Sequence, residues 1–261
     1  MKSAITKEQI LSELEKFNHL RGKIVTVHTS LKAVGDVDGE VLLSALIDFF
    51  ARDGGLLCIP THTWDKEVYD RREAYTSIGV LPSLAAAHSG GVRTLHPTHS
   101  MAVFGEKEKV EKFIENEAEA DTPANPKGCY GKLYEEDGYV LLIGVGQDKN
   151  TYLHCVEEML DVPDRLTDYK VEKTIIHKDG QKEKRFLYWF DEKIPDVSIY
   201  FPKFEEPFRH FGCIEDALLG NARVQICSAR KMYKTIKKIY ENNGFGELLD
   251  NDNPIDKKLY L

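Results

Sequence analysis

The sequence predicts an α/β fold, a mostly parallel central sheet flanked by helices, with an antiparallel hairpin added to it. Short β-branched apolar runs alternate with longer amphipathic segments through about residue 160, the pattern of strand–helix–strand units. Glycine, proline and asparagine signals punctuate nearly every change of period. Farther on, two alternating stretches, 171–177 and 184–190, flank Asp179-Gly180 and read as a hairpin. The whole chain, 1–261, is expected to form one α/β domain with a hairpin excursion at about 168–192.

The elements follow in order. Thr6-Lys7-Glu8-Gln9 opens a first helix, with Thr6 or Ser3 as its N-cap. Lys23 to His28 is a buried strand, and Val41 to Phe50 is a helix closed by Asp53-Gly54-Gly55. Leu56 to Pro60 is the second strand, followed by the polar Thr61-His62-Thr63-Trp64. Residues 79–87 read as a helix, with Pro82 in the first turn where its missing N–H costs little. Ser100 to Phe104 is a strand and Glu106 to Ala118 an exposed, charge-laced helix. Gly138 to Gly146 is the clearest buried strand, and a helix runs from about Asn150 to Met159. After the hairpin come a helix near Ile214–Leu219, a strand over 223–227 and a basic amphipathic helix from Lys231 to Tyr240.

Composition excludes several classes of function. A formal charge of −8 and a pI near 5.6 do not provide the basic stripe that a nucleic-acid binder needs. No stretch approaches the roughly 20 apolar residues of a membrane span, and the N-terminus has no apolar leader. Cys58, Cys129, Cys155, Cys213 and Cys227 are scattered, with no Cys-x-x-Cys pair, so neither a disulfide framework nor a thiolate zinc site is expected. The expectation is a cytoplasmic protein with no nucleic-acid or membrane partner. Gly144-Val145-Gly146 lacks the third glycine of a dinucleotide fingerprint and serves a tight turn.

Four polar clusters lie at strand ends, where a sheet of this kind gathers its chemistry. They are His28-Thr29-Ser30-Leu31, Thr61-His62-Thr63, His96-Pro97-Thr98-His99-Ser100, and Asn150-Thr151 with His154 and Glu157. Five of the nine histidines fall in them, which points to one shared crevice. On a helix from Asn150, His154 and Glu157 lie three residues apart on one face, where a carboxylate can hold an imidazole tautomer. Cys155 beside His154 points elsewhere on the same helix and is read as a packing residue. His62, His96, His99 and His154 could also ligate a metal, but no His-Glu-x-x-His or comparable spacing supports that.

The segment from Arg93 to Gly105 resembles the His-Pro-x-x-Ser-x-x-Ala-x-Gly motif of the aminoglycoside 3-N-acetyltransferases. His28-Thr29-Ser30-Leu31 with Val34-Gly35 resembles that family's His-Ser-Ser-Leu-like loop. Residues 139–144 and Asn150 to Glu157 are similar to its strand followed by Thr-x-x-His-x-x-Glu. Gly131-Lys132-Leu133 and Gly220 to Arg223 fit in order, so the resemblance covers roughly residues 5 to 240. Asn125 to Leu133 departs from the family's Ser-Pro-x-Gly-Lys-Leu, and His99 is an additional histidine inside the first motif.

The resemblance implies acetyl transfer from acetyl-coenzyme A, without a metal, to an amine of an aminoglycoside-like acceptor, an antibiotic-resistance activity. His28, Thr29, Ser30 and Leu31 would line the coenzyme A site, where backbone N–H groups and hydroxyls suit an anion. Thr98 and Ser100 are expected on the cofactor side, as donors to the thioester oxyanion. His96 is expected to be the general base, with His99 as the alternative, Glu157 as the orienting carboxylate and His154 beside it. Direct transfer in a ternary complex is expected in preference to an acyl-cysteine. Carboxylates for a cationic acceptor are sought in Asp65, Glu67, Asp70 and Glu73, interleaved with Trp64, Tyr69 and Tyr75, and in Asp161 and Asp164. The partner is a small-molecule amine, with a homodimer left open. Two alternatives stand beside this reading: a metal-assisted hydrolase built on the histidines, and a non-catalytic coenzyme A-binding relative.

Overall fold

A computed structural model describes residues 4–190, 193–194, 196–248 and 251–261. Ser3, the alternative first cap, and the last two residues of the hairpin excursion lie outside the described residues. Helix α1 (Lys7–Leu14) starts at Thr6 in a capping box: Thr6 Oγ1 accepts the Gln9 N–H and the Gln9 side chain accepts the Thr6 N–H. Such a cap stabilises a helix by about 1 kcal/mol. Strand β1 (Ile24–Thr29) leads into a one-turn helix α2 (Leu31–Val34), then α3 (Gly39–Phe50) and β2 (Leu56–Pro60). Short β3 (Val68–Asp70), α4 (Val80–Ala87), β4 (Val92–Arg93), β5 (Met101–Phe104), α5 (Lys107–Ile114) and α6 (Cys129–Glu135) follow. Strand β6 (Tyr139–Ile143), helix α7 (Tyr152–Met159) and the long hairpin β7 (Leu166–Ile176) and β8 (Lys182–Phe190) come next. Helix α8 (Glu205–His210), strands β9 (Ile214–Leu219) and β10 (Ala222–Ser228) and helix α9 (Ala229–Asn243) complete the main elements.

Among the described residues the main sheet has the order β4-β5-β2-β1-β6-β10-β9. Its centre, β2-β1-β6, is parallel, and the strands outside it run antiparallel. The α/β class is therefore as expected, with the parallel character confined to the middle. A second sheet, β3-β7-β8, carries the hairpin, with β3 parallel to β7.

Residues 214–219 form a strand, which corrects the helix expected there. The chain turns at Gly220 (φ +58) and pairs β9 with β10 in register, Leu219 against Ala222 through Ile214 against Cys227. A Cβ at Gly220 would come 2.5 Å from the Val34 carbonyl, so the tight turn requires glycine.

Side chains alternate across the sheet, as a two-residue period demands. Val25, Val27, Leu57, Ile59, Leu141 and Ile143 join one core with α1 and α3. Ile24, Leu56, Cys58, Val140 and Leu142 join the other, with α6, α7 and α9. By this alternation His28 falls on the α7 side of β1, which puts the end of β1 and the start of α7 on the same face. Among the described residues no helix is long and apolar enough to cross a membrane.

Candidate active site

A cavity of about 590 Å³ opens at the carboxyl ends of β1 and β2. Its walls are Val27, His28 and Thr29 of β1, Ile59 and Pro60 of β2, and His62 and Trp64 just beyond. The loop after β6 contributes Asp148, Lys149, Asn150 and Thr151, and α7 contributes His154. Gly144 (φ +67) makes this loop possible, because a Cβ there would come 2.3 Å from Ala33 Cβ. The hairpin closes the far side with Trp189 and Phe190. Four of the expected site residues therefore meet here: His28, Thr29, His99 and His154.

The motif 96–100 is a buried plug between β4 and β5, and its parts divide. His96 is 1% exposed and does not line the cavity. Its Nδ1 accepts the backbone N–H of His99 at 3.0 Å, with the Thr98 hydroxyl 3.2 Å away. His99 does line the cavity, held by the same Thr98 hydroxyl at 2.9 Å from its Nδ1. Thr98 is thus committed to the two rings. Ser100 donates to the Thr61 carbonyl at 2.9 Å and pairs with the Thr61 hydroxyl. Thr98 and Ser100, expected to face the cofactor, are fully enclosed instead. Ser30 caps α2, accepting the Ala33 N–H at 3.3 Å, and neither it nor Leu31 lines the cavity.

Burial sets the protonation of most of this cluster. It pushes His28 and His96 down to about 4, and His62 and His99 well below the ordinary histidine value. His62 Nε2 pairs with the Tyr130 hydroxyl at 2.8 Å, and its ring lies 4.5 Å from that of His99 and 5.0 Å from Trp64. His154 is placed differently. Its Nδ1 lies 3.2 Å from Glu157 Oε2, and its ring sits between Phe190 (4.7 Å) and Phe201 (4.8 Å). With Nδ1–H donated to the carboxylate, the lone pair is on Nε2. Among the described residues, His154 is the cavity-lining histidine that holds a carboxylate.

The acceptor carboxylates sought in the sequence lie elsewhere. Asp65 accepts the Tyr75 hydroxyl, Asp70 is paired with Arg72 at 2.6 Å, and Glu67 lies 3.5 Å from Lys173. Neither these nor Glu73 lines the cavity. Asp161 and Asp164 border a separate depression of about 750 Å³ together with Glu119, Asp121 and Glu158. Trp189 and Phe190, at the end of β8, line the cavity although they were not among the site residues expected. Among the described residues, no group of three or more His, Cys, Asp or Glu side chains is arranged to hold a metal ion.

The sequence model of the family described as aminoglycoside 3-N-acetyltransferase matches residues 26–241. The aminoglycoside N(3')-acetyltransferase-like protein YokD of the Bacillus subtilis SPbeta prophage is 26% identical over 179 residues, 58% of this chain and 64% of that protein. Aminoglycoside N(3)-acetyltransferase IV of Salmonella sp is 29% identical over 161 residues, 60% of each chain. The matched stretch thus spans less than two thirds of these relatives' own lengths. A solved structure of AAC-IIIb, binary with CoASH, superposes with a TM-score of 0.74 at 21% identity, over 92% of this chain and 97% of that one. That likeness carries the fold.

Proposed function

The chain belongs to the aminoglycoside 3-N-acetyltransferase family, and from that premise we propose that it transfers the acetyl group of acetyl-coenzyme A to an amine of an aminoglycoside-like acceptor, with His154 as general base. The observation that carries this reading is His154 on the cavity wall with the Glu157 carboxylate paired to it from behind. An ammonium has no lone pair, so the acceptor must lose a proton before it can attack a thioester. His154 Nε2 takes that proton, and Glu157, one turn along α7, fixes the tautomer and balances the imidazolium charge. His28, His62 and His99 lack a carboxylate partner among the described residues, and burial opposes their protonation. A base that cannot hold the proton it removes contributes little. His154 therefore takes the place of His96 as the base.

The cavity suits the co-substrate. His28 Nε2, Thr29 Oγ1, His62 Nδ1 and Asn150 Oδ1 are buried atoms without a hydrogen-bond partner, and all four residues line it. Leaving such groups unmatched costs about 1–3 kcal/mol each, which a polar ligand removes. Acetyl-coenzyme A supplies a thioester whose carbonyl carbon takes the amine nitrogen as the C–S bond breaks. His28, Thr29 and Asn150 would bind its polar arm, and Trp64, His99 and Phe190 would flank the acceptor. Direct transfer fits the cysteines. None lines the cavity, and burial raises the Cys58, Cys129, Cys155 and Cys227 thiols away from the thiolate form. Five free thiols suit a reducing compartment such as the cytoplasm.

Thiol release from acetyl-coenzyme A, measured across 2-deoxystreptamine aminoglycosides, polyamines and aryl amines, tests the reading. Acceptor-dependent release with an aminoglycoside is expected. Release with other amines alone removes the aminoglycoside claim, and no release with any amine removes the transferase claim.

A further inference from the structure

The carboxylate that orients His154 is itself held from the other side. Glu157 Oε2 faces His154 Nδ1 at 3.2 Å, and Glu157 Oε1 accepts from Arg165 Nε at 2.7 Å. Both partners are enclosed, the Arg165 side chain 3% and the Glu157 side chain 9% exposed. Arg165 reaches this position because the chain doubles back after α7 through Asp161 and Asp164, which adopt positive φ angles of 50° and 57°. Its guanidinium also donates through Nη2 to the Leu248 carbonyl at 2.9 Å. Leu248 is buried and ends a short 3-10 turn, Gly246–Leu248, beyond residue 241 where the family match stops.

We propose that Arg165 is the positioning residue for the catalytic base, and that the Gly246–Leu248 turn takes part in catalysis by holding Arg165 through the Leu248 carbonyl. The inference rests on the reading of His154 as general base. A glutamate bound at one oxygen can swing about its terminal torsion, and the imidazole then loses its partner. A guanidinium is a rigid planar fork, so one edge on Glu157 and another on a fixed carbonyl sets the plane of the carboxylate. An ammonium at the same place would neutralise Glu157 without orienting it. Arg165 stands behind the carboxylate and does not line the cavity, so it acts through Glu157 and not on the substrate.

Arg165→Lys keeps the buried charge and removes the fork. The expected result is a fall in kcat at neutral pH of about tenfold or more, with KM for acetyl-coenzyme A within about twofold. The deficit should shrink as the assay pH is raised from about 7 to about 9.5, because a free amine needs no base. A general loss of packing would lower the rate equally at every pH. Should the lysine variant fail to fold, Arg165→Gln, which replaces the fork with a single planar amide donor, should show the same pH-dependent deficit. Wild-type kcat at neutral pH in either variant, or a deficit of constant size across the range, would overturn the proposal. Failure of the wild-type protein to release thiol with any amine would instead mark the failure of the transferase reading.

Discussion

His96 accepts the backbone N–H of His99 on its Nδ1 at 3.0 Å, so the first histidine of the motif is the template on which the second is laid. An acceptor on Nδ1 carries its proton on Nε2, and His96 is enclosed in that state. The ring that reaches the cavity is that of His99.

His96→Ala should therefore act mainly on stability. It leaves the buried His99 N–H without an acceptor, a loss of about 1–3 kcal/mol. Chemical unfolding should show that loss, while kcat per folded molecule stays within about threefold of wild type. A variant of unchanged stability with kcat down a hundredfold would return the base to His96.

The buried histidines should shape stability against pH. Their folded pKa values lie below the ordinary 6.5, at about 4 for His28 and His96 and lower in direction for His62 and His99. Between those values the unfolded chain binds protons that the native chain refuses, so stability is lost as pH falls from 6.5 toward 4. Two buried carboxyls oppose this, Glu158 raised by burial to about 7 and Glu117 raised in the same sense. Each stabilises the native chain below the ordinary 4.5 and loses that contribution as pH rises through its folded value. Four groups outweigh two, so the melting temperature should drop on acidification from 6.5 to 4.5. A rise over that window would contradict the burial of the cluster.

Coenzyme A should raise the melting temperature, by the equivalent of about 2.7 kcal/mol at a hundred times Kd. Thr29→Val keeps the shape of the side chain and removes the unmatched Oγ1. It should stabilise the free protein by about 1 kcal/mol, since that hydroxyl is unmatched there, and weaken coenzyme A about five- to tenfold, by the worth of one hydrogen bond. Unchanged affinity in isothermal titration would move the cofactor's polar arm away from β1.

His99 and Trp64, with ring centroids 5.6 Å apart on the cavity wall, should govern the acceptor. His99→Ala is expected to raise KM for the amine about tenfold with kcat within about threefold, since the loss is of binding shared by ground and transition states. Steady-state kinetics with the amine varied at saturating acetyl-coenzyme A reads this directly.

The central strands were legible because β2 and β6 read as unbroken apolar runs and β1 begins as a β-branched run, apolar except for Thr26. Strand β9 was not. Ile214, Ala217 and Leu218 fit a helical face as well as a strand, and pairing with β10 decides between them. Asp216 of β9 pairs with Arg223 of β10 and with Arg209 of α8 alongside that ladder. The His154–Glu157 pair was visible because a three-residue spacing on a helix fixes which side chains share a face. The division between His96 and His99 was hidden, since it depends on which ring a seven-residue loop turns outward (residues 94–100). Trp189 and Phe190 reach the cavity only through docking of the hairpin, which no local pattern encodes.

The most direct test compares kcat for His154→Ala, His99→Ala and His96→Ala by thiol release at neutral pH, each corrected for the folded fraction. His154→Ala should fall about a hundredfold or more with KM for acetyl-coenzyme A nearly unchanged, and the other two should stay within about threefold of wild type. A folded His154→Ala protein at wild-type kcat, with the large loss in His99→Ala or His96→Ala instead, would contradict the account.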